Sequence, residues 1–144
     1  MLSRILEDAK IVPKTFGYKL EKRLATLVYE EKACTNPRWA YKFAKNIPGA
    51  DIEKCCEAAC KDPHYAYIFI RDIPGANIEK CQESSCQEPE YAYYFAKFIP
   101  GADIEKCQEA ACKVPYYAYL FAHYIPGANI EKCRKACEGN CYAF

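Results

Sequence analysis

The sequence predicts an all-α fold, an α-solenoid built of short helical hairpins. Three observations carry this. A nine-residue phrase, Ile-Pro-Gly-Ala-Asp/Asn-Ile-Glu-Lys-Cys, starts at Ile47, Ile73, Ile99 and Ile125, a constant step of 26 residues. Between its copies stands a segment of aromatic and alanine residues with helical periodicity. Each 26-residue unit is too small to bury its own apolar faces, so it must stack on the next.

Residues 1–36 lie before the first full repeat and are expected to form an N-terminal helical cap. Residues 3–10 suit a short helix, interrupted by Pro13 and Gly17. From Tyr18 the pattern turns strongly helical: Leu20, Leu24, Leu27 and Val28 fall at i, i+4, i+7 and i+8 on one face. Lys19, Lys22 and Arg23 sit off that face, as on a solvated surface.

Residues 37–144 hold four repeats and the start of a fifth. Each begins with a proline, at Pro37, Pro63, Pro89 and Pro115, where a first helical residue needs no N–H. Asn36 and Asp62 are N-cap side chains for the first two; Glu88 and Val114 are weaker caps. The first helix then reads aromatic-Ala-Tyr-x-Phe-Ala/Ile, and repeat positions 3, 4, 7, 8 and 11, counted from the proline, are expected to fill the core. The Pro-Gly pairs at Pro48, Pro74, Pro100 and Pro126 stop this helix after about three turns. Asp51, Asn77, Asp103 and Asn129 cap a second, shorter helix, with a glutamate at its positive dipole end.

The aromatic-Ala-Tyr-x-Phe-Ala core and the proline at each repeat start resemble the tetratricopeptide-like and Sel1-like helical-hairpin arrays. Those families run about 34 to 36 residues per repeat, against 26 here. The resemblance implies a right-handed superhelix and contact with proteins rather than catalysis.

Eleven cysteines are the compositional outlier. Cys55, Cys81, Cys107 and Cys133 occupy repeat position 19; Cys34, Cys60, Cys86 and Cys112 occupy position 24. Bridging Cys55 to Cys60 would span about 140° around one helix and about 7.5 Å along it, out of reach without unwinding. Pairing position 24 with position 19 of the next repeat gives Cys34–Cys55, Cys60–Cys81, Cys86–Cys107 and Cys112–Cys133, each 21 residues apart. These are the expected inter-repeat disulfides, each contributing roughly 3 kcal/mol on the loop-entropy account. The fourth repeat is one residue short, which makes Cys137 its position-24 cysteine; Cys137 and Cys141 can close a terminal loop. Cys56 is then the odd thiol, free or intermolecular. Metal binding by the cysteines is the rival reading, but the recurring spacing is Cys-x4-Cys, unlike common zinc sites, and His64 and His123 occupy unrelated repeat positions. No metal ligand or cofactor is assigned.

Function is expected to be non-enzymatic. A residue copied at one position in every repeat, such as Glu53-Lys54 and its copies, is scaffolding, and neither histidine has an evident catalytic partner. The variable positions 2, 6 and 10 change from Arg38, Lys42 and Asn46 through His64, Ile68 and Asp72 to Glu90, Tyr94 and Phe98 and finally Tyr116, Leu120 and Tyr124. Tyr94, Phe98, Tyr116, Leu120 and Tyr124, with Tyr142 and Phe144 of the abruptly ending fifth repeat, are the expected interface. The expected function is self-assembly, head-to-tail and through this stripe, into a filament or tubule with copies of itself as partner. The alternatives are an adaptor that binds another protein and a cysteine-based metal-binding protein. A net charge of +1, from 20 basic and 19 acidic side chains, argues against nucleic acid as a partner. No stretch reaches the roughly 18 apolar residues of a membrane span, so membrane insertion is not expected. The thirteen tyrosines, one methionine and frequent Glu and Lys lean towards a hot environment. Without a recognisable signal segment, the expected location is either an extracellular assembly or the cytoplasm of a hyperthermophile.

Overall fold

The computed structural model describes residues 17–142 and 144, with side chains described from residue 23. The expected helix at residues 3–10, and the side chains of Lys19, Leu20 and Lys22, lie outside the described residues. Among these residues the chain is all helical, with nine helices and no strand. They are α1 (Gly17–Ala33), α2 (Pro37–Asn46), α3 (Ile52–Ala59), α4 (Pro63–Asp72), α5 (Ile78–Ser85), α6 (Pro89–Phe98), α7 (Ile104–Ala111), α8 (Pro115–Tyr124) and α9 (Ile130–Ala136). None is long and apolar enough to cross a membrane.

Local chemistry sets each boundary. Every first helix has its proline in the first turn. Asn36 accepts from the Arg38 and Trp39 N–H groups, and Asp62 from those of His64 and Tyr65. Glu88 and Val114 make no side-chain cap. Each first helix ends on an isoleucine in extended conformation. The glycine two residues later, for example Gly75 at φ 83°, turns the chain through the left-handed region that a Cβ disfavours. Asp51, Asn77, Asp103 and Asn129 then each accept from the N–H three residues on and start the second helix.

The helices pack in consecutive pairs, α2 with α3, α4 with α5, α6 with α7 and α8 with α9, and each first helix also lies against the next first helix. The alanines at position 4, Ala40, Ala66, Ala92 and Ala118, are fully buried, as are Phe69, Phe95 and Phe121. With no side chain beyond Cβ, the alanines bring neighbouring backbones close enough for the phenylalanines to fill the seam. Two expectations need correction. Positions 3 and 8 are at most partly buried, Trp39 being 52% exposed, whereas the position-5 tyrosines Tyr67 and Tyr93 are buried. Each position-5 ring meets the position-3 ring of the following repeat: Tyr41 with Tyr65, Tyr67 with Tyr91, and Tyr93 with Tyr117, at centroid separations of 6.4, 6.2 and 6.3 Å. Tyr142 continues the series, stacked on Tyr119 at 5.3 Å. Tyr142 therefore stands where the position-3 ring of a following repeat would.

The cap helix α1 meets the first repeat through its C-terminal part, where Tyr29, Ala33 and Cys34 pack on the core. Its apolar face does not: Leu24, Leu27 and Val28 are 52, 50 and 56% exposed.

Candidate functional site

Two arrangements stand out, a row of sulfurs between the second helices and an aromatic surface on the first helices near the C-terminal end.

The row of sulfurs follows from the repeat. Position 19 lies in the buried face of each second helix, and position 24 is that helix's C-cap. Stacking sets the C-cap sulfur of one hairpin against the buried sulfur of the next. Cys34 and Cys55 lie 3.8 Å apart, Cys60 and Cys81 3.7 Å, Cys86 and Cys107 3.8 Å, and Cys112 and Cys133 3.9 Å. The four pairs read from the 21-residue spacing are thus brought together, as thiols in contact and not as disulfides. Burial pushes the Cys34, Cys55 and Cys112 thiols up from their ordinary range, and Cys133 up to about 12. Cys107 is raised chiefly because it shares its proton with Cys86, which is lowered in turn. At the C-terminus the Cys137 thiol donates to the Pro115 carbonyl at 3.3 Å, and Cys141 is exposed.

Beside each sulfur pair sits the residue at position 20, whose role sequence reasoning missed. The Gln82 side chain accepts from the Asp103 N–H at 3.0 Å and donates to the Asp103 carbonyl at 2.9 Å. Gln108 clasps Asn129 in the same way, at 2.8 and 2.7 Å. In the cap, buried Glu30 accepts from the Asp51 N–H at 2.8 Å. Each is thus a clamp from one hairpin onto the N-cap residue that starts the next second helix. The signal was present: a polar residue recurs 21 positions before an Asx cap, on a face otherwise read as apolar.

The first repeat breaks this pattern. Its position 20 is Cys56, expected to be a free or intermolecular thiol. The structure has it as a free thiol and buries it, at 1% exposure. Its sulfur lies 3.5 Å from that of Cys81 and 3.9 Å from that of Cys60. The Cys60 and Cys81 thiols, the Asn77 N–H and the Lys80 charge all favour the Cys56 thiolate and lower its pKa, while Cys60 and Cys81 are raised as the partners that keep their protons. Three sulfurs therefore form one cluster, the one place among the described residues where three such donors converge. The clue in the sequence was Cys56-x3-Cys60, one face of a helix, beside the independent pairing of Cys60 with Cys81.

The second arrangement is the predicted stripe. Tyr94 and Leu120 are half-buried, and Tyr94 packs among Tyr67, Tyr91, Tyr93 and Phe98. Here the stripe serves the stacking of repeats. Phe98, Tyr116, Tyr124 and Phe144 are 53, 47, 59 and 43% exposed. They form a continuous patch: Lys97 lies over both the Phe98 and Tyr124 rings, His123 contacts Tyr124 and Phe144, and Tyr116 meets Tyr142. His123 packs on Tyr119 and His64 on Tyr65 and Tyr91. The recurring lysines pair along the surface with glutamates of the preceding turn of the array, Lys54 with Glu31 and Lys80 with Glu57. Such exposed pairs are worth little individually and fit the scaffolding role.

Compared with known proteins, the chain matches no family model, no curated protein and no solved structure.

Proposed function

We propose that this chain is a non-enzymatic structural protein, a right-handed α-solenoid of the tetratricopeptide-like kind with a compact repeat, whose copies associate head-to-tail into a filament or tubule. The observation that carries the proposal is the continuous exposed aromatic patch of Phe98, Tyr116, Tyr124 and Phe144. Exposed apolar patches of this continuity mark interfaces, and aromatic side chains supply the anchors of most of them. A second, different apolar surface lies on the cap helix, at Leu24, Leu27 and Val28. Joining two unlike surfaces is a heterologous contact, which propagates into a ring or a helical polymer. Disulfides between the four contacting sulfur pairs would lock each junction and let such a polymer persist outside a reducing compartment.

Electron microscopy and sedimentation of the purified protein test this. Polymers are expected at high concentration, lost on Phe98→Glu with Tyr124→Glu and equally on Leu27→Glu, with helicity unchanged. Mixing the two variants should restore dimers and nothing larger, because each retains one intact end. Monomers throughout, even at high concentration, would refute the proposal. Capture of a different protein by the aromatic patch, without self-association, would replace it with the adaptor function. Intact mass without reductant reads the staples, each disulfide lowering the mass by about 2 Da.

A further inference from the structure

The junction between α3 and α5 differs from its neighbours in one atom set. Elsewhere the position-20 side chain clamps the next N-cap residue, with two hydrogen bonds from Gln82 and two from Gln108. At this junction position 20 is Cys56, whose sulfur is a weaker acceptor than an amide oxygen and has no N–H to donate to the Asn77 carbonyl as an amide does. Local stability therefore does not explain a cysteine here. What the cysteine adds is a third sulfur.

We infer that Cys56, Cys60 and Cys81 form a three-thiolate binding site for one thiophilic d10 metal ion, zinc(II) by its bond length. Zinc holds thiolates at about 2.3 Å, which puts the sulfurs of a tetrahedral site about 3.8 Å apart. The separations here are 3.5, 3.7 and 3.9 Å. An ion bonded equally to all three lies about 0.8 Å out of their plane, close to its place in a regular tetrahedron. Little movement is needed, whereas a disulfide must draw two of these sulfurs to about 2.05 Å. The donor set is entirely soft, which selects zinc or its thiophilic neighbours over magnesium or calcium.

Two further features fit. Cys60 is the half-buried member and opens onto a surface pocket of about 310 Å³ that Glu57, Lys80, Glu83, Ser84 and Gln87 also line. The pocket supplies an entry path and leaves the fourth coordination position to water. The surroundings also hold a ligand: the Ser84 hydroxyl donates to the Cys60 carbonyl at 2.6 Å. Loading is an acid–base exchange with no redox change. Three Zn–S bonds form, and the protons still held by the sulfurs, those of Cys60 and Cys81 where Cys56 is already a thiolate, pass to solvent. The bound ion takes the place of the proposed Cys60–Cys81 disulfide at this junction, leaving the other three staples unaffected.

The natural control is built into the repeat. Cys56→Gln installs the clamp found at Gln82 and Gln108, so the variant is expected to fold at least as well as the parent. The full chain, reduced and stripped of metal, is titrated anaerobically with cobalt(II), and the cobalt is then displaced by zinc(II). One equivalent is expected, with the charge-transfer bands of a tetrahedral cobalt thiolate. Affinity in Cys56→Gln should fall by roughly 100-fold or more, beyond the cost of losing an outer-shell partner, while Cys86→Ser leaves it unchanged. Zinc should also protect half-buried Cys60 from alkylation while exposed Cys141 reacts at its usual rate. Equal binding by Cys56→Gln, or a reduced parent without thiolate bands, would overturn the site. Because binding is read on the chain itself, a protein that polymerises without taking up metal refutes the site alone.

Discussion

The Ser85 hydroxyl is fully buried and has no hydrogen-bond partner. The same repeat position holds Ala59 and Ala111 in the neighbouring second helices, both buried. A buried hydroxyl with no partner keeps its desolvation cost uncompensated. Ser85→Ala should therefore stabilise the protein by about 1 kcal/mol, read as a higher midpoint in urea with an unchanged slope. Its neighbour Ser84 is different, since its hydroxyl is bonded to the Cys60 carbonyl at 2.6 Å. The pair illustrates what a single sequence conveys at this scale. That both positions face inward was legible from the alanines in the other repeats. Which of two adjacent hydroxyls finds an acceptor depends on the C-cap carbonyl of the previous hairpin, and no local pattern encodes that. The surroundings of Cys56 were half legible for the same reason: Cys60 follows it on one helical face, but Cys81 meets it only after two helices have been stacked.

Helix boundaries were the most legible level, because proline, glycine and Asx residues punctuate each one for a local reason. The weaker caps were legible too. Glu88 and Val114 make no side-chain hydrogen bond where Asp62 makes two. Glu88→Asp and Val114→Asp should each add about 1 kcal/mol, visible as a rise in thermal midpoint at neutral pH that disappears once the new carboxylate is protonated. Less legible was the choice between two adjacent faces of the first helix. Periodicity shows that an apolar stripe exists, but the next hairpin decides that Tyr67 and Tyr93 are covered and that position 8 stays partly open. The second helices predict a pH response. Burial raises Cys34, Cys55, Cys112 and Cys133, the last to about 12, from an ordinary thiol value near 9. In the unfolded chain these thiols lose their protons first, so above about pH 9 the native state binds more protons than the unfolded state. Above that point the stability of the fully reduced protein should fall as pH rises towards 12, whereas below it the lowered Cys56 and Cys86 thiols make stability rise with pH. Urea midpoints taken between pH 9 and 11 in reductant check the sign; a midpoint that climbs over that range would contradict it.

Over the whole molecule, the hairpin array and the pairing of sulfurs were both readable from arithmetic, 26 residues between repeats and 21 between partners. The covalent state of those sulfurs is not, because redox poise belongs to the compartment and not to the spacing. The cap was half legible. Its helix is present, but the apolar face of Leu24, Leu27 and Val28 is exposed instead of covering the first repeat. Together with the gradient from Arg38, Lys42 and Asn46 to Tyr116, Leu120 and Tyr124, this makes the two apolar surfaces chemically unlike, the property on which the proposed directional polymerisation rests. The mixing of end-blocked variants therefore tests polarity as well as association.

The clamp from Gln82 to Asp103, repeated from Gln108 to Asn129, also makes the protein a ruler with discrete divisions. Excising residues 89–114 would bring Gln82 to Asn129, Cys86 to Cys133 and Tyr67 to Tyr117, each pair a like-for-like replacement of one already present. Such a shortened chain should melt cooperatively with helix content reduced in proportion, whereas removing residues 89–113 would offset every one of these contacts by one place and should unfold the C-terminal half. Circular dichroism of the two deletions separates them. Length in this architecture changes by whole repeats, so a lineage could alter the rod's reach by recombination between copies without redesigning a single contact.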